Sequence, residues 1–295
     1  MQLERQSGQL ERQNHSSARH EHNSELCMCL ALKHFPRWYS CVILIANWSF
    51  MTIPARRNRG GYTMKRPWIG VQYWENPIFM HWPVPYDMLR PLVPEPFQLD
   101  TFHGQAWISI VLFRSPRSHL RWGSGLFSLS SLSQVNVRTY IRFYEEPAVY
   151  FLTVYTNSKL SVLGARWLLS LPYQHAYFDG ESRTSFRMKQ TNGDSSGRFS
   201  AHVYPSSECF IPEKHTLAHW LTERYHFYTI KGKHIVKATI SHMPWRLSEA
   251  RYNIKQNNLL AFTPETRDPL VHVASSQTTY LYPPQVRGCQ ALAQF

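Results

Sequence analysis

The sequence has few acidic residues, few cysteines and no long apolar run. Asp and Glu number 19 against 32 Lys and Arg, which gives a formal net charge of +13. The five cysteines follow no disulfide spacing, which is typical of a reducing compartment. The longest unbroken apolar run covers only residues 41–46, whereas a helix needs about 20 residues to cross a bilayer. We therefore expect a cytoplasmic protein without a disulfide framework or a membrane span.

Signatures of several enzyme and metal-binding classes are also absent. The sequence has neither the Gly-x-Ser-x-Gly of serine hydrolases nor the Gly-x-x-x-x-Gly-Lys of phosphate loops. Cys27 and Cys29 with Cys41 match no standard zinc spacing. His215 and His219 have the four-residue helical step, but they lack the intervening Glu of zinc proteases and a third ligand. We therefore expect no metal and no cofactor.

The basic surplus is spread along the chain. Residues 1–63 hold eight Lys or Arg and four Asp or Glu, a net charge of +4, which leaves +9 for residues 64–295. A nucleic-acid interface needs such charge on one face, and no helix-turn-helix, zinc-finger or RNA-binding signature accompanies it. The dispersed surplus favours a small anionic molecule as the ligand. We expect neither nucleic acid nor a membrane as a partner, and a homo-oligomer is left open.

Residues 1–63 differ in composition from the rest of the chain. Gln-Leu-Glu-Arg-Gln occurs twice, at 2–6 and 9–13, and no aromatic residue precedes Cys27. Such a segment buries too little apolar surface to offset its chain entropy. We predict that residues 1–63 are disordered or a non-native extension, that Met64 is the natural start, and that residues 64–295 form a single domain.

The clearest local pattern lies between residues 148 and 178. Val, Tyr, Phe and Thr crowd residues 148–156, which predicts a mostly buried strand. A helix follows, with a cap at Asn157 or Ser158, an end before Pro172, and Gly164 where another backbone approaches closely. The helix is predicted because apolar residues recur at steps of three and four, namely Leu160, Leu163, Trp167, Leu168 and Leu171.

Elsewhere the patterns indicate short elements of both kinds. Residues 83–94 and 216–226 predict helices, and a short polar helix is predicted near 248–253. Residues 115–133, rich in Ser, Arg and Gly, predict a long loop. At least eight strands and about four helices, with no β-α-β alternation, favour a mainly antiparallel sheet.

Two groups of polar residues are candidates for a site. Arg166, Tyr173 and His175 surround the exit of the helix, where they either line a cavity or are ordinary core and surface residues. In the strand over residues 134–144, polar and apolar residues alternate, and two arginines share one face. Guanidinium groups suit a carboxylate or a phosphate, and a solvated outer face is the alternative.

Four motifs in this order resemble the YqjF-like family of uncharacterised bacterial proteins, which is itself remotely similar to acetoacetate decarboxylase. The motifs are His-Trp-Pro-Val-Pro at 81–85, Asn-Val-Arg-Thr-Tyr at 136–140, Thr-Asn-Ser-Lys-Leu-Ser-Val-Leu-Gly-Ala-Arg at 156–166 and Leu-Pro-Tyr-Gln-His-Ala at 171–176. The likeness runs from about residue 64 to about residue 284. It implies a mainly β fold, in which an antiparallel sheet curls into an open cone or barrel with short flanking helices and a ligand cavity.

The resemblance also ranks the candidate residues. It makes the strand face of Asn136, Arg138 and Tyr140 a cavity lining, and with Arg166 these are the expected ligand-binding residues. The expected catalytic residues are Tyr173 and His175. Acetoacetate decarboxylase forms a Schiff base through a lysine directly after a Gly-x-Pro-like turn. Here Tyr173 and Gln174 follow Pro172, so that lysine is missing and decarboxylation through an imine is in doubt.

Two functions from different classes remain. The first is a binding protein that holds a small anionic or carboxylate-bearing molecule in a β-cone cavity. The alternative is an enzyme related to acetoacetate decarboxylase that acts on an oxo acid by acid/base chemistry, with an arginine on the carboxylate. An interaction protein with an inert cavity is a third possibility. The sequence names neither the ligand nor the reaction.

Overall fold

A computed structural model of the chain describes residues 68–122, 125–182, 185–191, 197–260 and 268–287. All of them fall within one unit, Ala55–Phe295. The predicted extension over residues 1–63, the proposed start at Met64 and the cysteines at 27, 29, 41 and 289 lie outside the described residues. No helix within the described ranges is long and apolar enough to cross a membrane.

Strands dominate the described chain, as its content of branched and aromatic residues predicts. In chain order they are β1 (Gly70–Val84), β2 (Gln98–Leu99), β3 (Ala106–Trp122), β4 (Gly125–Leu129), β5 (Leu132–Phe143), β6 (Glu146–Thr156), β7 (Tyr173–Ser182), β8 (Ser185–Gln190), β9 (Arg198–Pro205), β10 (His226–Lys231), β11 (His234–Ser241), β12 (Leu247–Asn257), β13 (Leu270–Ala274), β14 (Gln277–Leu281) and β15 (Gln285–Arg287). The helices are α1 (Tyr86–Leu89), α2 (Lys159–Leu169) and α3 (Leu217–Thr222).

Four long strands form a shared wall in the order β1, β3, β5, β6. Each outer edge of this wall pairs with two different strands along its length. On β1, residues 70–74 pair with β14 and residues 78–81 pair with β13. On β6, Val149 pairs with β10 and residues 154–156 pair with β7. The sheet therefore forks at both edges of the wall.

The forked sheet closes into two circuits that share the wall. One circuit returns through β14, β11 and β10, and the other through β13, β12, β9, β8 and β7. Within the described residues, the pairs of β6 with β7 and of β6 with β10 are parallel, and the other strand pairs are antiparallel. The prediction of a curled, mainly antiparallel sheet is confirmed, and β6 belongs to both circuits through its two parallel pairs.

The two faces of the wall differ in character. One face is the main hydrophobic core, where Ile78, Met80 and Trp82 of β1 meet side chains of the longer circuit such as Phe186 and Phe199. Each fully buried side chain of this size contributes about 1.5–3 kcal/mol. The opposite face is mixed, because its apolar residues alternate with buried polar ones. That second face carries the candidate site.

Helix α2 begins where the sequence indicates, and most of its apolar residues are exposed. The Ser158 hydroxyl accepts a hydrogen bond from the backbone N–H of Ser161, and the helix ends at Ser170 in the left-handed region. No residue of α2 is buried, and Leu160 and Leu163 are 77% and 67% exposed, whereas Leu171, just beyond the helix, is buried. Apart from its chain neighbours and the backbone of α2, no described atom lies within 4 Å of a Cβ placed on Gly164. The predicted close approach at Gly164 is therefore wrong.

Two further local predictions are wrong because tertiary pairing overrides local composition. Much of the expected loop at 115–133 belongs to the hairpin of β3 and β4. There Arg117 and Arg121 lie over the aromatic rings of Tyr73 and Trp68, so polar residues are compatible with a strand. The polar helix expected near 248–253 is instead part of β12, which pairs with β9 and β13.

Candidate functional site

A row of buried polar side chains runs along β5 on the mixed face of the wall. Gln134, Asn136, Arg138 and Tyr140 are between 0% and 8% exposed. They share one face because side chains alternate along a strand. The structure thus places Asn136, Arg138 and Tyr140 together and inside the sheet.

A chain of hydrogen bonds joins this row to the neighbouring strands. The Ser109 hydroxyl lies 2.6 Å from Tyr140 Oη and 2.6 Å from His81 Nδ1, and Tyr140 donates to the carbonyl of Leu221 at 3.0 Å. The proton of Tyr140 is used in the bond to the carbonyl, so the Ser109 hydroxyl donates to Tyr140 Oη. The oxygen of Ser109 then accepts a hydrogen bond from Nδ1–H of His81. This assignment leaves a lone pair on Nε2 of His81.

His81 is held neutral inside the sheet. Its side chain is fully buried, and its Nε2 has no hydrogen-bond partner among the described residues. Desolvation, with the nearby charges of His272 and Arg138, places the pKa of His81 well below its ordinary value. A buried neutral imidazole with an unused nitrogen is able to accept or return a proton.

Arg138 is a buried cation without a carboxylate. Its Nη2 donates to the carbonyl of Leu221 at 3.5 Å, and its guanidinium lies 5.8 Å from the ring centroid of Phe79. Burial is the largest influence on the pKa of Arg138 and lowers it, and Tyr140 is the neighbour that offsets this effect. Within the described part of the chain, no Asp or Glu forms an ion pair with Arg138. The positive charge is therefore uncompensated.

Several polar atoms around Arg138 are also unsatisfied. Among the described residues, Nε of Arg138, Oδ1 of Asn136, Nε2 of His81 and Nδ1 of His272 are buried without a hydrogen-bond partner. Most buried polar groups in proteins are paired, and each unpaired one costs about 1–3 kcal/mol. Four such atoms in one cluster indicate a place where a polar ligand completes the hydrogen bonding.

The neighbouring arginine shows the contrast. Arg224 is as buried as Arg138, but its Nη2 lies 2.9 Å from Oδ2 of Asp100. Its Nε donates to the carbonyl of Trp220 at 2.8 Å. Arg224 is therefore a paired structural cation, and of these two buried arginines Arg138 is the one available to a ligand.

Helix α3 and the segment before β12 cover the cluster. The ring of Trp220 lies 4.6 Å from that of Tyr140, and Trp245 packs edge-on against Phe79 at 5.4 Å. A cavity of about 450 Å³ is lined by residues that include Asp100, Trp220 and Arg224. Trp220 therefore contacts both the cluster, at Tyr140, and this cavity.

The other predicted site residues lie apart from Arg138. Arg166 and His175 line a groove of about 470 Å³ beside α2. Tyr173 lies between the two places, since its hydroxyl donates to Gln134 at 3.3 Å, and desolvation raises the pKa of Tyr173 to about 12. The structure thus divides the predicted residues into an inner cluster and an outer groove.

Sequence reasoning overlooked His81, Ser109 and His272 as members of the inner cluster. A signal for His81 was present, because a histidine stands between Phe79 and Trp82 in an otherwise apolar strand. Ser109 and His272 carry no such signal. In the described ranges, no three His, Cys, Asp or Glu residues come together as metal ligands.

Comparison with known proteins places the chain in a family. The family model DUF2071, an uncharacterized conserved protein, matches residues 71–278. The chain belongs to this family. It is 35% identical over 222 residues to the uncharacterized protein YqjF of Bacillus subtilis (strain 168), which covers 73% of this chain and 91% of YqjF. The YqjF-like resemblance seen in the sequence is thereby confirmed.

Solved structures with the same fold include acetoacetate decarboxylase-like proteins. The DUF2071 chain matches the enduracididine biosynthesis enzyme MppR complexed with pyruvate with a TM-score of 0.52 and 10% identity, over 76% of this chain and 91% of MppR. It matches acetoacetate decarboxylase from Legionella pneumophila with a TM-score of 0.52 and 11% identity, over 83% of this chain and 95% of that enzyme. At such low identity these matches establish a shared fold.

Proposed function

We propose that this DUF2071 protein binds a small carboxylate-bearing anion at Arg138, inside the curled sheet. The observation that supports the proposal is the buried guanidinium of Arg138, which has no carboxylate partner among the described residues although the adjacent Arg224 has one. A buried charge without a counter-charge is costly, and an anionic ligand offsets that cost.

The groups around Arg138 define the kind of anion. Arg138 offers a planar fork of N–H donors, which suits a carboxylate. Tyr140 supplies a neutral hydroxyl, because burial raises its pKa despite the opposing charge of Arg138. Asn136 and His81 add polar atoms for a second functional group on the ligand. A short oxo acid has both features.

A titration with pyruvate tests this proposal. Pyruvate is the first probe because the similar fold of MppR was solved with it. Calorimetry and melting temperature are measured on the full chain with pyruvate, other oxo acids and simple carboxylates. A ligand at a hundred times its dissociation constant adds about 2.7 kcal/mol of stability.

Two Arg→Gln substitutions distinguish binding at a specific site from general attraction of anions to a basic protein. We expect Arg138→Gln to abolish the thermal shift and Arg251→Gln, at an exposed position of β12, to leave it unchanged. The proposal is wrong if no carboxylate shifts the melting temperature, or if Arg138→Gln binds as the wild type does.

A second candidate function is an oxo-acid enzyme that uses acid/base chemistry without an imine. The observation that favours it is the neutral His81, whose charge state is influenced by Arg138 and whose Nε2 is unpartnered. In such an enolisation Nε2 takes a proton from the carbon beside the keto group, the electron pair of the broken C–H bond forms a C=C bond, and the π pair of the keto group moves onto its oxygen. The roles predicted for Tyr173 and His175 remain predictions.

Exchange of the pyruvate methyl protons in D₂O, followed by proton NMR, tests the enzymatic candidate. We expect exchange with the wild type and its loss in His81→Gln with pyruvate binding retained. Binding without exchange leaves the protein as a carrier or sensor of the anion. The proposal places it in the cytoplasm, where its unpatterned cysteines stay reduced.

A further inference from the structure

The groove beside α2 has an unusual set of polar side chains. It has a volume of about 470 Å³ and lies between α2 and the start of β7. Among the described residues, its lining includes the basic residues Lys159, Arg166 and His175 and the neutral polar residues Gln174, Gln190 and Thr191, and no Asp or Glu. A concave surface with only one sign of charge concentrates ions of the opposite sign.

Two hydrogen bonds hold the ring of His175 in place. Its Nε2 lies 3.2 Å from the carbonyl oxygen of Asn157. Its Nδ1 lies 3.1 Å from the hydroxyl of Thr191, which lies 2.8 Å from the carbonyl oxygen of His175. These contacts fix the imidazole as part of the groove lining.

Lys159 and Arg166 face the same groove from α2. They are seven residues apart, about two helical turns, so they share one side of the helix. Nε of Arg166 donates to the carbonyl of Tyr173, which fixes the guanidinium over the groove. In the part of the chain that the structure describes, neither Lys159 nor Arg166 forms an ion pair. Two cations thus share this groove without an ion pair among the described residues.

Neutral amides complete the floor of the groove. Gln190 donates to Oε1 of Gln174, and Gln174 donates to the hydroxyl of Thr153 at 3.4 Å. Gln190 Oε1 in turn accepts from the backbone N–H of Gly197 at 3.3 Å. These bonds hold two amide side chains in place beneath the two cations. An ordered floor of this kind lowers the entropy cost of binding.

We propose that the groove beside α2 binds a small polyanion, of the phosphate-ester or polycarboxylate kind, at Lys159, Arg166 and His175. The site is separate from Arg138, which binds a single carboxylate inside the sheet, and it does not rest on that function. Two positive groups on one side of α2 favour a ligand with at least two negative charges. Charge-assisted hydrogen bonds from Lys and Arg supply most of the attraction.

The test is calorimetric titration of the full chain with pyrophosphate, citrate and acetate. We expect pyrophosphate or citrate to bind. The double variant Lys159→Gln/Arg166→Gln should weaken polyanion binding by about ten-fold or more, because it removes two charge-assisted contacts. Its binding of acetate, which the proposed site at Arg138 accepts, should be unchanged. Both residues are on the surface of α2, and the melting temperature of the variant checks that it is folded.

A control variant makes the result decisive. Lys255→Gln removes one charge from an exposed position of β12, and it should bind polyanion as the wild type does. The proposal is overturned if the wild type binds no polyanion, if the double variant binds it unchanged, or if Lys255→Gln weakens binding as much as the double variant. Stronger binding of pyrophosphate indicates a phosphate ester, and stronger binding of citrate a polycarboxylate.

Discussion

The hydroxyl of Tyr140 lies 3.0 Å from the carbonyl oxygen of Leu221, close to the C-terminal end of α3. Arg138 donates to the same oxygen at 3.5 Å. Carbonyl groups at the C-terminal end of a helix carry partial negative charge, so this oxygen stands where an oxygen of an anion binds. A carboxylate that replaces this oxygen at Arg138 and Tyr140 therefore displaces the end of α3.

Loosening α3 should accordingly strengthen ligand binding. The Thr216 hydroxyl caps α3 by accepting from the backbone N–H of His219 at 3.3 Å. Loss of such a cap costs about 1 kcal/mol, which is about a five-fold change in an equilibrium constant. We expect Thr216→Ala to lower the melting temperature slightly and to bind carboxylates about five-fold more tightly in calorimetry.

Ser158→Ala is the matched control, because it removes the equivalent cap from α2. It should leave carboxylate binding at Arg138 unchanged. Weaker binding by Thr216→Ala would show that α3 is a wall of the site and that the ligand does not displace it. If neither the wild type nor Thr216→Ala binds a carboxylate, the proposed function itself is wrong.

The two buried arginines should respond in opposite directions to the same substitution. Arg138→Met removes an uncompensated buried charge, so we expect the melting temperature of the unliganded protein to stay the same or to rise. Arg224→Met leaves the buried Asp100 with Arg142, whose Nε lies 3.3 Å away, as its remaining cation. We therefore expect a loss of stability of at most about 3–5 kcal/mol, which is the cost of breaking a buried pair. Thermal and urea unfolding of the two variants measure the difference.

This comparison also checks the charge state on which the proposed function depends. If Arg138→Met destabilises the protein as much as Arg224→Met, the charge of Arg138 is already compensated without a ligand. The hydrogen bond of Arg138 to the carbonyl of Leu221 is long, at 3.5 Å, so its loss is a small effect.

Glu146 should make the stability of the protein depend on acid pH. It accepts hydrogen bonds from Lys237 and Tyr228, and His226 lies 3.2 Å away. Burial raises the pKa of Glu146, but these three partners outweigh burial and place the pKa below its ordinary value. The unfolded chain therefore binds a proton more readily, so the contribution of Glu146 is present above about pH 5 and is lost as pH falls.

Glu146→Gln should flatten this part of the pH profile. The hydrogen bonds of Glu146 also connect β6 to β10 and β11. Because backbone pairing joins β6 to β10 at a single residue pair, loss of these bonds should lower the melting temperature at pH 7. Glu145→Gln is the control, since the side chain of Glu145 is fully exposed. Equal pH profiles of both variants from pH 3 to pH 7 would contradict this role of Glu146.

Much of the inner cluster follows from local sequence. Alternation along residues 134–144 places Asn136, Arg138 and Tyr140 on one face before any fold is known. What covers them does not follow, because Leu221 is 83 residues from Arg138 and forms an ordinary short helix. Ser109 belongs to the cluster only because strand pairing places it opposite His81 of β1 and Arg138 of β5. Pairings between distant residues leave no local signature.

The fork of the sheet also cannot be predicted from the sequence. The sequence predicts β6 as a strand, but it does not show that the two halves of its edge pair with different partners. Periodicity likewise predicts an apolar side of α2 without saying whether that side meets the sheet. In the structure it does not.

The exposed side of α2 gives the sharpest contrast in packing. Leu163 is 67% exposed, whereas Leu221 of α3 is fully buried. We expect Leu221→Ala to lower the free energy of unfolding by about 2–5 kcal/mol, and Leu163→Ala to change it by at most about 0.5 kcal/mol. Urea unfolding at low protein concentration measures both. A large loss in Leu163→Ala would show that α2 is covered in solution. Light scattering would then distinguish a second copy of the chain, which raises the molar mass, from a contact within one chain, which does not.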